Sequence, residues 1–269
     1  MEFIVTDLDG TFLDDNKHFN AKLFDEVLTD WEAAGNRFVI ATGRELKWVE
    51  KVFSDFVDRI DVVSSNGAVV RPLGLPEMRS MIAPETLVEL QHFIEQSGLL
   101  PTGGLRTYTD DAMYLVDGMG EIEPESYAFM SSLYDGVDEI KSLAEVKTPV
   151  STVTGRWPGN HEDGYQVMEA INQSGLPLFA TTSGYGTVDI LPAGVNKAMA
   201  LDKLVAALGT TNDHLVAFGD GMNDYEMLQH AHTGYVMPNG NAFLLEQKEF
   251  KHAAFDNNHD GVLKTIQAW

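Results

Sequence analysis

Asp7 and Asp9 stand two apart in the stretch DLDGT, directly after the apolar residues Phe3, Ile4 and Val5. An apolar run closed by a glycine, here Gly10, reads as a short buried strand. Residues two apart on a strand point to the same face, so both carboxylates aim into one small volume. Like charges held that close repel, and one pKa is forced upward unless a cation sits between them. An arrangement that costs stability suggests chemistry. A strand that ends in a polar, solvated turn is the competing reading, and these residues alone leave both open.

Three further polar, glycine-containing clusters follow apolar runs: ATGR (41–44) after RFVI, SSNGA (64–68) after DVV, and FGDGMND (218–224) after HLVA. Ligands of open parallel sheets bind outside the carboxyl ends of the strands, so four such strand ends converge on one crevice. The elements that position them alternate. In NAKLFDEVLTDWEAAG, residues Leu23, Phe24, Val27, Leu28 and Trp31 form one helical face, with Asn20 as N-cap and Gly35 as stop. RFVIATGR reads as a strand, ELKWVEKVFSDFV as a helix and DVVSSNGAVV as a strand. Towards the C-terminus come the helix KAMALDKLVAALG, the strand HLVAFGD, the helix DYEMLQHA and the strand TGYVM. This rhythm predicts an α/β fold, a doubly wound parallel sheet with helices on both faces.

Residues 84–188 read differently. Helical PETLVELQHFIEQSG and GYQVMEAINQSG mix with strand-like MYLVD, VSTVTG and LFATTS and with many glycines. They are expected to form a separate α+β domain inserted into a core made of residues 1–83 and 189–269, with linkers near Ala83–Pro84 and Asp189–Pro192.

Composition narrows the function classes. The chain has 269 residues, 44% of them hydrophobic, which supports a real core. It has no cysteine, hence no disulfide, thiolate metal site or cysteine nucleophile. There is no apolar run of about 18 residues and no signal-peptide pattern, so a cytoplasmic protein is expected. The net charge is −23, from 41 acids against 18 Lys plus Arg, which opposes binding to nucleic acid or anionic membranes. An anionic substrate would therefore need local positive charge, from a metal or a few placed cations.

Taken together, DLDGT, ATGR, GVNKAMAL and FGDGMNDYEML resemble the motifs of the haloacid dehalogenase-like phosphatases, in particular the Cof-type branch, whose α+β cap lies between the second and third motifs. The resemblance implies a Rossmann-like core with an inserted cap that sets specificity. It implies Asp7 as the nucleophile that becomes an aspartyl-phosphate, and Asp9 as the general acid/base. Thr42 and Lys197 would hold the phosphoryl oxygens. Asp220 would ligate Mg2+ with Asp7 and the Asp9 main-chain carbonyl, while Asp224 orients that sphere. Asn223 would be a further phosphate contact, and Gly43, Arg44, Asn66 and Gly67 match the branch around the substrate.

The residue types suit the chemistry. Phosphoryl transfer rests on positioning and charge stabilisation, and a carboxylate can split the displacement into two easier steps. An anion attacking an anion needs neutralisation, which Mg2+ with Lys197 would supply, and magnesium takes carboxylate, carbonyl and water oxygens. Plainer roles compete: Thr42 as a helix cap, Lys197 as a solvated first-turn lysine, Asp220 and Asp224 as turn residues, and Arg44 as the partner of a neighbouring carboxylate. The expected activity is a Mg2+-dependent phosphatase of a small phosphorylated metabolite. A phosphomutase on the same scaffold or a catalytically silent ligand-binding protein are the alternatives. Oligomeric state is unread.

Other patterns are discounted. DNNHDG (256–261) begins like a calcium loop but has Gln267 where the bidentate Glu belongs, so a turn and helix start are favoured. His230 and His232 lack a third ligand and read as surface residues; Trp31 and Trp48 fit core stripes. GDGMND lacks the third glycine of a dinucleotide fingerprint. One departure from the branch that the chain resembles stands out: where that branch usually has a compact Met-Gly-Asn-Ala, this chain reads VMPNGNA (236–242), which would alter a loop close to the metal-binding end. Specificity candidates in the inserted domain are Arg106 and Tyr108, Arg156 and Trp157 in GRWPGN, and Tyr185 in SGYG.

Overall fold

The central strand Phe3–Thr6 is buried along its whole length, as a strand covered on both faces must be. The computed structural model describes residues 1–134, 136–157, 162–184 and 186–269. They divide into two compact units: Met1–Met78 with Asn196–Trp269, and Arg79–Val195.

In the first unit six strands pair in parallel, in the order Lys251–His252, Thr233–Val236, Leu215–Gly219, Phe3–Thr6, Arg37–Ala41 and Asp61–Ser64. The chain winds first to one side of Phe3–Thr6 and then to the other, which makes the carboxyl end of that strand a topological switch point. Helices cover both faces. On one, Phe3, Val5, Val39 and Val63 pack with Leu201, Leu204 and Val205 of helix Lys197–Ala207. On the other, the ring of Phe24, from helix Ala21–Ala33, meets Phe38 edge-on at 5.0 Å and Phe12 at 5.1 Å. Asn20 caps that helix by accepting the Leu23 N–H at 3.1 Å.

The sequence DVVSSNGAVV departs from the single strand expected of it. The strand ends at Ser64, Ser65 and Asn66 take left-handed backbone (φ 49° each), and Val69–Arg71 returns antiparallel. The helix of ELKWVEKVFSDFV is likewise shorter, Leu46–Val52. DNNHDG forms a short 3-10 turn, Asn257–His259, and a left-handed Asp260 (φ 56°) ahead of helix Gly261–Gln267, the turn and helix start expected of it.

The second unit is a six-stranded sheet in the order Leu178–Gly184, Thr187–Pro192, Val153–Arg156, Arg106–Tyr108, Ala112–Val116 and Gly136–Ile140. Helices Pro84–Ser97 and Glu162–Gln173 contribute Leu87, Leu90, Ile94, Val167 and Ile171 to its core. Asp189–Pro192, expected as a linker, lies within the strand Thr187–Pro192, because Val188, Ile190 and Leu191 are fully buried there. Trp157, expected to meet substrate, is 3% exposed in this core, and its indole N–H donates to the Leu99 carbonyl. Pro158 to Asn160 of the same loop, and Tyr185, lie outside the described residues. No helix among the described residues is long and apolar enough to cross a membrane.

Candidate active site

Parallel register brings the four polar clusters to one edge of the first unit's sheet. Thr6 lies opposite Ile40 on one side and Phe218 on the other, so the next residues, Asp7, Ala41 and Gly219, stand level. Ala41 in turn lies opposite Val63, which sets Thr42 level with Ser64. Asp7, Thr42 and Asp220 therefore each directly follow their strand, at the carboxyl end of the sheet where ligands of such folds bind.

Lys197 is the centre of the site. It is the first residue of its helix, capped by Asn196, and it is 1% exposed. Its Nζ donates to Asp7 Oδ1 and to Asp224 Oδ1, both at 2.6 Å. A lysine buried to that degree has to be paired, so the plain solvated role is excluded. Asp224 Oδ2 accepts the backbone N–H groups of Asp220 and Gly221 at 3.0 Å each. Both Asp224 oxygens are thus held by protein donors, a geometry suited to orienting neighbours. Asp220 Oδ1 accepts the Thr11 hydroxyl at 2.7 Å.

One ligand atom from each of Asp7, Asp220 and Asp224 lies within 4.8 Å of the others. Three carboxylates sharing one ammonium carry excess negative charge, and the titration directions follow. Burial, with Asp224 and Asp220 adding to it against Lys197, pushes Asp7 well above the usual carboxylate range. Burial and the charge of Asp224 raise Asp220 to about 7. Burial opposes the Lys197 charge, but Asp224 and Asp7 outweigh it and hold the ammonium protonated above its ordinary range. A cluster of hard oxygen donors with surplus negative charge fits a divalent cation such as magnesium.

Asp9 lies apart from that cluster, in its own pair of ion contacts. Arg44 grips it with two hydrogen bonds, Nε to Oδ2 and Nη2 to Oδ1, each 2.8 Å, and Lys17 Nζ reaches Oδ1 at 2.8 Å. The Arg44 guanidinium lies 4.7 Å from the centroid of the Trp48 ring, which stacks on it. Burial works against the Asp9 charge, but Arg44 and Lys17 prevail and hold the carboxyl well below its usual range. Arg44 thus takes the plainer role weighed for it, partner of a neighbouring carboxylate, and that carboxylate is Asp9.

Thr42 is buried; its hydroxyl oxygen accepts the Arg44 N–H at 3.1 Å, and its N–H donates to Val63. Asn66, held in left-handed backbone, donates its N–H to the Thr42 carbonyl and accepts Asn223 Nδ2 at 3.1 Å, while Gly43 abuts its carboxamide. Gly67 and Gly10 are needed for close approach. A Cβ on Gly67 (φ +103°) would fall 2.3 Å from the Asn196 carbonyl oxygen, and one on Gly10 (φ +80°) 2.5 Å from Asp220 Oδ2. His230 contacts Asp202 at 2.7 Å and His232 is exposed, so neither joins the site.

Sequence reasoning missed Thr11 and Lys17, and also Asn239, whose Nδ2 donates to the Gly10 carbonyl, and Asn257, whose N–H donates to Asn239 Oδ1. Lys17 had no signal beyond its distance from the motif, and its φ of 66° is visible only in three dimensions. Thr11 sits inside DLDGT, and Asn239 inside the departing loop.

A family model described as haloacid dehalogenase-like hydrolase matches residues 4–266. The chain is 28% identical to 5-amino-6-(5-phospho-D-ribitylamino)uracil phosphatase YbjI of Escherichia coli (strain K12), covering 99% of this chain and 95% of that protein. Among solved structures, SMU.1108c from Streptococcus mutans UA159 superposes with a TM-score of 0.88 at 26% identity, covering 99% and 98% of the two chains. The HAD subclass IIB sugar phosphatase BT4131 superposes with a TM-score of 0.78 at 20% identity, covering 100% and 98%.

Proposed function

The chain belongs to the haloacid dehalogenase-like hydrolases, and from that premise we propose that it is a Mg2+-dependent phosphatase of a small phosphorylated metabolite, acting through an aspartyl-phosphate on Asp7. The observation that carries this reading is the buried Lys197 bridging Asp7 and Asp224 beside Asp220. It supports a nucleophilic carboxylate, a fixed cation and a metal-ready acid cluster in one place. The name of the E. coli relative, a phosphatase of a phosphorylated ribityl compound, supports a small organic phosphate as substrate.

In this reading an Asp7 oxygen attacks phosphorus as the ester P–O bond breaks. Lys197, with the hydroxyl of Thr42, holds the phosphoryl oxygens, and Asn223 adds a further contact supported by Asn66. Asp9 gives its proton to the leaving alkoxide and later takes one from the water that displaces phosphate from Asp7. Held by Arg44 and Lys17, Asp9 is ionised and ready for that second role. For the first it must take up a proton from solvent before the ester P–O bond breaks, which requires one ion contact to loosen, and Lys17, half-exposed with a single bond, is the partner whose release costs least. Asp7, Asp220 and the Asp9 carbonyl would hold the cation, with Asp224 orienting them. When bound, the cation neutralises charge between nucleophile and phosphate. The relative's name, a phosphatase, favours a catalyst over a silent binding protein.

The experiment is a panel of phosphomonoesters assayed for released phosphate with Mg2+ and after chelation, alongside Asp7→Asn. Metal-dependent release that Asp7→Asn abolishes supports the reading. Release unchanged by chelation or by Asp7→Asn overturns it.

A further inference from the structure

The loop VMPNGNA (236–242) lies against both acid-bearing loops. Asn241 N–H donates to the Asp220 carbonyl at 2.8 Å, and Asn239 Nδ2 donates to the Gly10 carbonyl at 2.8 Å. One short loop therefore fastens the Gly10–Thr11 peptide to the Asp220–Gly221 peptide. Asn239 is itself anchored from behind, since its Oδ1 accepts the Asn257 N–H at 3.3 Å.

Asn257 is 4% exposed, and its Nδ2 donates to the Leu13 carbonyl and to Asp15 Oδ1, 3.0 Å each. Asn258 completes the contact: its Nδ2 donates to Asp15 Oδ2 and its Oδ1 accepts the Asp15 N–H, both at 3.1 Å. The segment from Gly10 to Asp15 is thus held at both ends by residues more than 220 positions away in sequence. With both Asp15 oxygens on amide donors, this cluster is a fastening and not a cation site. The segment begins at the residue after Asp9, carries Thr11, whose hydroxyl holds Asp220, and leads to Lys17.

We propose that Asn239, anchored by Asn257, is a positioning residue: it fixes the loop between Asp9 and Lys17 so that the Asp9 carboxyl meets the leaving group while Thr11 keeps Asp220 in place. This role rests on the reading of Asp9 as the proton-transfer group. Asn239 is on the surface, so its replacement leaves the core intact. Misplacing a catalytic group by a fraction of its reach slows the step that needs it, and a poor leaving group needs Asp9 most.

The test compares Asn239→Ala and Asn239→Asp with wild type. Asn239→Asp keeps the shape and the acceptor towards Asn257 but sets an oxygen against the Gly10 carbonyl. Hydrogen exchange should rise in peptides covering residues 10–17 in both variants and stay unchanged in the Lys197–Ala207 helix. Turnover of an alkyl phosphate should fall about tenfold and that of nitrophenyl phosphate less than about threefold, with KM little changed. Equal slowing of both esters, or unchanged exchange in residues 10–17, would overturn the positioning role. The exchange arm stands independently of the enzyme reading: a wild-type protein that released no phosphate would remove that reading, while exchange would still decide whether the loop is fastened.

Discussion

Replacing Lys197 by Met keeps the volume of a side chain that is 1% exposed and deletes the ammonium that bridges Asp7 and Asp224. Two hydrogen bonds of 2.6 Å are lost and two buried carboxylates are left without their countercharge. Breaking a buried ion pair from one side costs about 3–5 kcal/mol. For a domain of this size each kcal/mol moves Tm by about 2–4 °C, so a drop of ~6–20 °C is expected at pH 8. The loss should depend on pH, and the sign follows from proton binding. Asp7 is already pushed up by burial, and without the ammonium the folded state binds its proton more tightly still. A folded-state pKa above the unfolded value preserves stability at low pH and forfeits it as pH rises through the folded value. The variant should therefore lose less at pH 5 than at pH 8, and adding Asp7→Asn should recover part of the loss. Denaturant unfolding of the metal-free protein, followed by tryptophan fluorescence at the two pH values, measures this. A loss under about 1 kcal/mol at pH 8, or an equal loss at both pH values, would refute the claim that Lys197 serves as countercharge.

Asp220 titrates near 7 when folded, against an ordinary carboxylate range below 5, so the metal-free protein should lose stability as pH rises from about 4 through 7. Mg2+ should raise Tm more at pH 8 than at pH 5, and Asp220→Asn should flatten the pH trend while raising the metal concentration needed for turnover. Gly10→Ala places a methyl group 2.5 Å from Asp220 Oδ2 on a backbone of φ +80°, so turnover should fall by at least about tenfold with a smaller change in unfolding free energy, read from paired kinetic and denaturant curves. Arg44→Lys breaks the two-point grip on Asp9 and the stacking on Trp48, and should slow alkyl phosphates more than nitrophenyl phosphate in side-by-side assays.

Much of the core arrangement is legible in sequence because it is local. Apolar strands that end in DLDGT, ATGR and FGDGMND carry Asp7, Thr42 and Asp220 one step past the strand, and parallel register sets them level. Asp189–Pro192 misled because Pro192 reads as a linker signal, while burial of Ile190 and Leu191 on the second unit's sheet decides the outcome. DVVSSNGAVV read as one strand, although SSNGA also read as a strand-end cluster, because no local rule forces Ser65 and Asn66 into the left-handed backbone that ends the strand at Ser64. Trp157 looked like a loop aromatic, yet its indole N–H and ring are both satisfied inside the second unit. Lys17, Asn239 and Asn257 were hidden for a different reason. Lys17 acts on an acid eight positions away across a left-handed turn, and the asparagines act on a segment at the other end of the chain. Contacts of that separation leave no periodicity to read.

The covalent step on Asp7 is tested most directly by rapid quench of Asp9→Asn with nitrophenyl phosphate. In that variant the nucleophile and Lys197 remain, a good leaving group departs with little protonation, and the water that clears Asp7 lacks its base. A burst of nitrophenol close to one equivalent, followed by slow release, with the phosphoryl group recovered on the peptide that contains Asp7, is the predicted result. An alkyl phosphate should give no burst. No burst from either ester together with equal slowing of both, or phosphate recovered on a peptide without Asp7, would contradict the account.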